Sequence, residues 1–176
     1  AEEMRRDPKI FYMSTDPIPS LLKEFGGERI RATPIAEAAL TGMAIGAAGS
    51  GFRPIVDWRQ VTFGFVAMDQ IVNQASKIHY MFGGQVSFPI LYRAAVGGGT
   101  QLAAQHSQSP YSMFMNLAGL KMFLPSTPYD MKGLLKTAIR DNNPVISFES
   151  NRLMTRKGPV PEDDYTIPLG KADIKR

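Results

Sequence analysis

Five short apolar runs, set apart by stretches with helical spacing, constrain this chain more than any other feature. The runs cover residues 9–13, 54–57, 86–93, 121–124 and 144–149. Several are apolar along both faces, which is the pattern of strands covered on both sides in a parallel sheet. Helical spacing marks residues 34–50, 65–82 and 128–140. Thr33 is placed to cap the first of these, and Pro34 suits a first helical position. Gly42 and Gly46, with Ala39, Ala47 and Ala48 around them, leave room for another backbone to approach. The second stretch carries Met68, Ile71, Val72, Ala75, Ile78 and His79 at i, i+3, i+4 spacing and stops at Gly83 and Gly84. In the third, Thr127 caps, Pro128 opens the helix, and Asp130 completes a T-x-x-D box. Its expected buried stripe is Met131, Leu134, Leu135, Ala138 and Ile139.

Alternation of this kind predicts an α/β fold in three layers: a mostly parallel sheet, joined by right-handed crossovers and flanked by helices. Ligands of such sheets bind beyond the carboxyl ends of the strands. The loops after Asp57, Arg93 and Leu124 are therefore the ones to search. Residues 157–164 are a turn-rich loop and residues 165–174 an extended segment.

Composition removes several function classes. The chain has 176 residues, enough for one domain with a sizeable core. It has no cysteine, so disulfides, thiolate zinc sites and cysteine nucleophiles are excluded. Two histidines, His79 and His106, are too few for a His-rich metal centre. The net charge of +4 is scattered; Arg5–Arg6 and Arg152/Arg156/Lys157 are its densest groups, and neither makes the basic stripe of a nucleic-acid binder. No apolar run reaches the roughly 18 residues of a membrane span. The charged opening AEEMRRDPK is unlike a secretory signal, so a cytoplasmic protein, or a mitochondrial matrix one in a eukaryote, is expected. P-loop, G-x-G-x-x-G and G-x-S-x-G motifs are missing. Gly97–Gly98–Gly99 reads as a flexible or close-approach loop.

Three side chains stand out for chemistry. Glu37 sits among Ile35, Ala36, Ala38, Ala39 and Leu40 near a helix start. It suits the positive end of the helix dipole, or, partly desolvated, can share a proton with a ligand nitrogen. His106 lies in a polar group past the glycine loop, where a histidine is either surface or functional. Phe63 is either core or an aromatic that stacks on a flat heterocycle. Asp57, at a strand end, is a site residue or a loop cap. His79, on a helical stripe, is expected to pack.

Together these residues resemble a family. Thr33-Pro34-Ile35-Ala36-Glu37, then Gly42-Met43-Ala44-Ile45-Gly46-Ala47-Ala48, resembles the T-P-I-x-E…G-x-A-x-G-A-A stretch of a thiamine diphosphate enzyme family. The family is the beta subunit of the decarboxylating component of 2-oxo acid dehydrogenase complexes. The likeness continues through Asp69-Gln70-Ile71-Val72-Asn73, Tyr80-Met81-Phe82-Gly83-Gly84, Ala104-Gln105-His106-Ser107-Gln108, Pro125-Ser126-Thr127-Pro128 and Ile139-Arg140-Asp141-Asn142-Asn143-Pro144. Ile167-Pro168-Leu169-Gly170-Lys171-Ala172 fits as well.

The resemblance implies a pyrimidine-binding domain over residues 1–176, without the family's carboxyl-terminal domain. It makes Glu37 the partner of the cofactor's N1′, Phe63 the aromatic on the pyrimidine, and His106 the histidine of substrate handling and acyl transfer. It implies potassium on carbonyls of Ile90, Ala138, Asp141 and Asn143. Magnesium and the pyrophosphate are expected on a partner alpha subunit with a G-D-G motif, which this chain lacks. A second beta subunit and a lipoyl-bearing acyltransferase are the other implied partners. The substrate is left open among pyruvate, a branched-chain 2-oxo acid and acetoin. A transketolase-like or deoxyxylulose-phosphate synthase-like module, and a degenerate interaction subunit, are the rival readings. The chain departs from the family at Ser14-Thr15-Asp16, where Gly-Glu-Asp is usual, and at Asp57-Trp58-Arg59. The segment from Asp16 to Leu21 is also shorter than the family pattern.

Overall fold

The computed structural model describes residues 1–99 and 101–174. At its centre is a six-stranded, all-parallel sheet in the order β2-β1-β3-β4-β6-β5. The strands are β1 (Ile10–Ser14), β2 (Ile30–Ala32), β3 (Arg53–Gln60), β4 (Leu91–Val96), β5 (Lys121–Phe123) and β6 (Val145–Ser150). The helices are α1 (Glu2–Arg6), α2 (Pro19–Phe25), α3 (Glu37–Gly49), α4 (Ile78–Met81), α5 (Tyr111–Met115) and α6 (Pro128–Arg140). The expected α/β class and parallel sheet are observed.

The runs at 9–13, 121–124 and 144–149 are strands with their ends moved by one residue. The run at 86–93 is corrected to Leu91–Val96. Pro89 has no N–H to offer a ladder, and the Phe88 N–H bonds the Asn142 carbonyl at 3.1 Å instead.

Alternate strand residues divide between two cores. One face carries Phe11, Met13, Val56, Trp58, Tyr92, Ile146 and Phe148, packed with α3 residues such as Leu40 and Ala44. The other carries Ile10, Tyr12, Ile55, Leu91 and Val145, packed with Met4 of α1 and Ala138 of α6. Trp58 is fully buried, its ring stacked on Tyr92 at 4.8 Å, and its indole N–H donates to Thr41 Oγ1 at 3.0 Å. A Cβ on Gly64 would lie 2.9 Å from the indole, so the chain turns over Trp58 only with a glycine there.

Two helix expectations need correction. First, α3 begins at Glu37 and not at Pro34, with Ala36 as an N-cap that makes no side-chain bond. The Thr33 N–H is tied to the Ser14 carbonyl at 3.0 Å, which keeps the backbone extended past β2. Second, residues 65–82 are not one helix. They divide into a 3₁₀ turn, Val61–Ala67, a π turn, Gln70–Ala75, and α4. The Ser76 N–H reaches back five residues to Ile71 (3.2 Å), while its hydroxyl bonds the Val72 carbonyl at 2.7 Å, so it competes with the α-helical ladder. His79 is exposed and not packed in the core; its Nδ1–H donates to the Val86 carbonyl at 2.7 Å.

The α6 cap is as expected: Thr127 Oγ1 accepts from the Asp130 N–H at 3.1 Å. The expected buried stripe is corrected, however: Leu134, Leu135 and Ile139 are half-buried, Ala138 alone of the stripe is fully buried, and Asp130, Gly133 and Lys136 are buried on the side where residues 161–169 cross the helix as a strap. The Ile167 N–H bonds the Gly133 carbonyl, Thr137 Oγ1 donates to the Ile167 carbonyl at 2.6 Å, and Tyr165 stacks on Tyr129 at 4.6 Å. A Cβ on Gly133 would lie 2.6 Å from Ile167 Cγ1. Charge fastens the crossing. Lys136 pairs with Glu2 and Asp164, and Arg140 with Glu3 and Asp164. Hydrogen bonds from Lys136 and Arg140 hold the Asp164 carboxyl down at about 2. Among the described residues no helix is long and apolar enough to cross a membrane.

Candidate functional site

Three of the expected residues stand beyond the carboxyl ends of β2, β3 and β4, with β1 lying between β2 and β3 in the sheet. Glu37 follows β2, Phe63 follows β3 in the 3₁₀ turn, and His106 ends a second 3₁₀ turn, Ala104–His106, after β4. Both α3 and the His106 turn pack on Val61–Ala67, so this one turn holds the three segments together. The Phe63 and His106 rings meet edge to face, with centroids 5.1 Å apart and planes at 73°. Glu37 is 8% exposed, and its carboxylate has no hydrogen bond or ion pair among the described residues.

Unmet polar demand gathers in the same place. Thr33 Oγ1, Thr62 Oγ1, Gln70 Oε1 and His106 Nδ1 are buried without a partner among the described residues. Thr33 precedes Glu37, Thr62 adjoins Phe63, and Gln70 packs over Gly42 of α3. A buried polar atom left unpaired costs about 1–3 kcal/mol, so a cluster of them marks where a ligand or partner completes the structure. One further atom of this kind, the Tyr92 hydroxyl, lies inside the core.

Behind this rim runs a charged network of which only Asp57 stood out in the sequence. The Tyr12 hydroxyl donates to Asp57 Oδ2 at 2.6 Å, and the Arg59 N–H to Asp57 Oδ1 at 2.8 Å. Arg93 forks onto Glu149 with two bonds of 2.7 Å and lies 3.9 Å from Asp57. Burial, then the Asp57 charge, push the Tyr12 phenol above its ordinary range. Burial opposes the Arg93 charge, but Glu149, together with Asp57 and Tyr12, more than restores it. Asp57 is thus a loop cap and a network member at once. Its visible signal was three charges, Asp57, Arg93 and Glu149, inside otherwise apolar strands. Arg59 also pairs with Asp16 at 3.2 Å, so the two departures from the family pattern meet in space.

The residues expected to hold potassium lie elsewhere, at the amino edge of the sheet. The Ile90 carbonyl accepts from the Val145 N–H, the Ala138 carbonyl from the Asp141 N–H, and the Asp141 carbonyl from Arg53 Nη1 at 3.0 Å. Asn143 bonds the Asp141 side chain. Among the described residues no group of three or more His, Asp or Glu is placed to hold a metal ion. A cavity of about 340 Å³ opens under α1, lined by Tyr12, Leu91, Arg93, Leu135 and Ile139. None of Glu37, Phe63 and His106 lines it, so the candidate site rests on convergent side chains and not on depth.

Comparison with known proteins converges on one family. The family described as transketolase, pyrimidine binding domain, matches residues 1–157. The beta subunit of acetoin:2,6-dichlorophenolindophenol oxidoreductase of Bacillus subtilis (strain 168) is 52% identical over 156 residues, covering 89% of this chain and 46% of the relative. The 2-oxoisovalerate dehydrogenase subunit beta of the same organism is 46% identical over 185 residues, covering 99% and 57%. The pyruvate dehydrogenase E1 component subunit beta of Rhizobium meliloti (strain 1021) is 43% identical over 186 residues, covering 100% and 40%. The chain therefore spans about half the length of these curated relatives. A solved structure described as a split gene transketolase, inactive beta4 tetramer, superposes with a TM-score of 0.69 at 24% identity, over 85% of this chain and 47% of that one. It bears on the fold alone.

Proposed function

Since the chain belongs to the transketolase pyrimidine-binding domain family, we propose that it supplies the aminopyrimidine-binding half of a thiamine diphosphate site in a 2-oxo acid dehydrogenase. Relatives named for acetoin, 2-oxoisovalerate and pyruvate support that class. The observation that carries the reading is the Phe63–His106 ring pair on a 3₁₀ turn against which α3, the helix that Glu37 opens, also packs, with four orphaned polar atoms in these segments.

These residues fit the group. Glu37 would share a proton with the pyrimidine N1′, and its carboxylate has no competing partner among the described residues. Phe63 would pack on the ring, while the orphaned threonine hydroxyls could donate to, and Gln70 Oε1 accept from, a polar heterocycle. His106, braced by Phe63, would handle a proton near the acyl group. When bound, the cofactor supplies the electron sink for loss of carbon dioxide. The pyrophosphate and magnesium would sit on an alpha subunit, since this chain offers no G-D-G motif. A second beta subunit completes an alpha2-beta2 assembly, and a lipoyl-bearing acyltransferase accepts the acyl group, in the bacterial cytoplasm. Residues 1–176 act as one pyrimidine-binding domain of that subunit. Carbonyls of Ile90, Ala138, Asp141 and Asn143, each with a lone pair to spare, would take potassium; a thermal midpoint higher in KCl than in NaCl is the sign to look for.

The test is Glu37→Gln in the full-length chain assembled with its alpha partner. Turnover of pyruvate, branched-chain 2-oxo acids and acetoin is followed in parallel, and the substrate the parent uses should fall by about 10²-fold or more, the scale of a lost proton partner. Unchanged turnover would remove Glu37 from the chemistry.

A further inference from the structure

Among the described residues, three that are not glycine adopt a positive φ: Arg59 at 67°, Gln101 at 55° and Ala103 at 62°. All three lie in the segments that end or follow β3 and β4, four residues before Phe63 or within five residues before His106. Ala103 is the extreme case. Its ψ of −177° puts it in a region that glycine almost alone occupies, at a cost of order 1–3 kcal/mol. Such a conformation persists only where its surroundings over-determine it, and here they do. The Ala103 carbonyl accepts the Ser107 hydroxyl at 2.7 Å. Further out, the Gly97 N–H bonds the Gln108 carbonyl at 2.8 Å, and Asn151 Nδ2 donates to the Gly97 carbonyl at 2.9 Å. The Arg59 conformation is held by its N–H on Asp57 Oδ1. Strained backbone therefore brackets the Phe63–His106 contact from both sides, and it is clamped on both sides by hydrogen bonds.

We propose that Ala103 is a positioning residue for His106: its strained turn, locked by Ser107, holds the imidazole edge-on to Phe63 before any ligand arrives. The part of this that concerns turnover rests on the function proposed above; the part that concerns the ring does not. An alanine is needed because a glycine would satisfy the same angles but leave the turn free to adopt others, while a larger side chain would raise the strain.

Full-length chain, assembled with its alpha partner, carries Ala103→Gly or, separately, Ser107→Ala. Two observables do not depend on substrate. One is the thermal midpoint. At an ordinary exposed position, alanine to glycine lowers it; here relief of strain should leave it unchanged or raised. The other is the imidazole proton–carbon signal of His106, with His79, the only other histidine, as internal control. Both variants should broaden or shift the His106 signal and leave that of His79 in place. With a substrate in hand, kcat should fall about tenfold in Ala103→Gly, the equivalent of about 1.4 kcal/mol of lost positioning, with KM for the 2-oxo acid unchanged. A lowered midpoint together with an unmoved His106 signal overturns the proposal, whatever the enzyme does. Moved His106 signals in a parent that turns over none of the three substrate types would leave the positioning role standing and sink the proposed function instead.

Discussion

The rim beyond β2, β3 and β4 and the clasp formed by α1, α6 and residues 161–169 are built on opposite terms. At the rim, polar atoms are buried without partners, a carboxylate stands alone, and the backbone enters conformations that side chains rarely adopt. At the clasp, Glu2, Glu3, Lys132, Lys136, Arg140 and Asp164 are all paired, the strap bonds to the helix backbone, and two tyrosines stack. The difference separates where the fold is held from where it is left incomplete. Stability is drawn from the clasp and the two cores, and the rim keeps hydrogen-bonding capacity unspent for something else.

If that division is right, changes of similar size should have opposite signs in the two regions. The largest effect is expected at the crossing of strap and helix. Gly133→Ala places a methyl group where Ile167 already sits, and should destabilise by about 1–3 kcal/mol in urea titrations, with new proteolytic cuts in residues 157–164. A stable, uncut variant would show that the strap is not fastened there. At the rim, Thr62→Val removes an orphaned hydroxyl at nearly constant volume. It should stabilise the chain by about 1 kcal/mol while weakening thiamine diphosphate binding; a loss of stability would mean that the hydroxyl already has a partner. The smallest effect concerns acid. Asp164 is depressed from an ordinary 3.8 to about 2 in the folded chain. Its contribution is therefore complete above pH 3.8 and lost as the pH falls to about 2. The protection of the Ile167 amide, its exchange rate taken relative to that of an unstructured amide at the same pH, should fall across that window, and Asp164→Asn should remove most of that fall.

The alternation of apolar runs and helical spacing was enough to read a parallel sheet, because strands covered on both faces leave a dense signal. The breaks were less legible. Nothing in the periodicity of residues 65–82 announces that the Ser76 hydroxyl will divert the backbone, and a three-residue edge strand such as Ile30–Ala32 is too short to show a period. The burial of Lys136 leaves no sign in the helical spacing, because the strap that covers it comes from 28 residues further along. At the site, Glu37, Phe63 and His106 could be singled out by residue type and neighbours, yet the packing of their segments depends on the 3₁₀ turn at Val61–Ala67, of which only the last three residues fell in the expected helix at 65–82. Strain at Ala103 leaves no mark in sequence at all, since alanine there looks unremarkable beside Ala104.

The Arg93 network has a consequence for how this chain can change over generations. One guanidinium on β4 is shared between Glu149 on β6 and Asp57 on β3, and Asp57 in turn holds the Tyr12 hydroxyl from β1. Losing any single charge strands the others in a poorly hydrated place, and that costs far more than replacing the whole group with apolar residues. Each member is thus fixed by its companions and not by its own merit. Drift at these positions must proceed in pairs or larger steps, so the middle of the sheet is a ratchet: descendants inherit the full set, or replace it together.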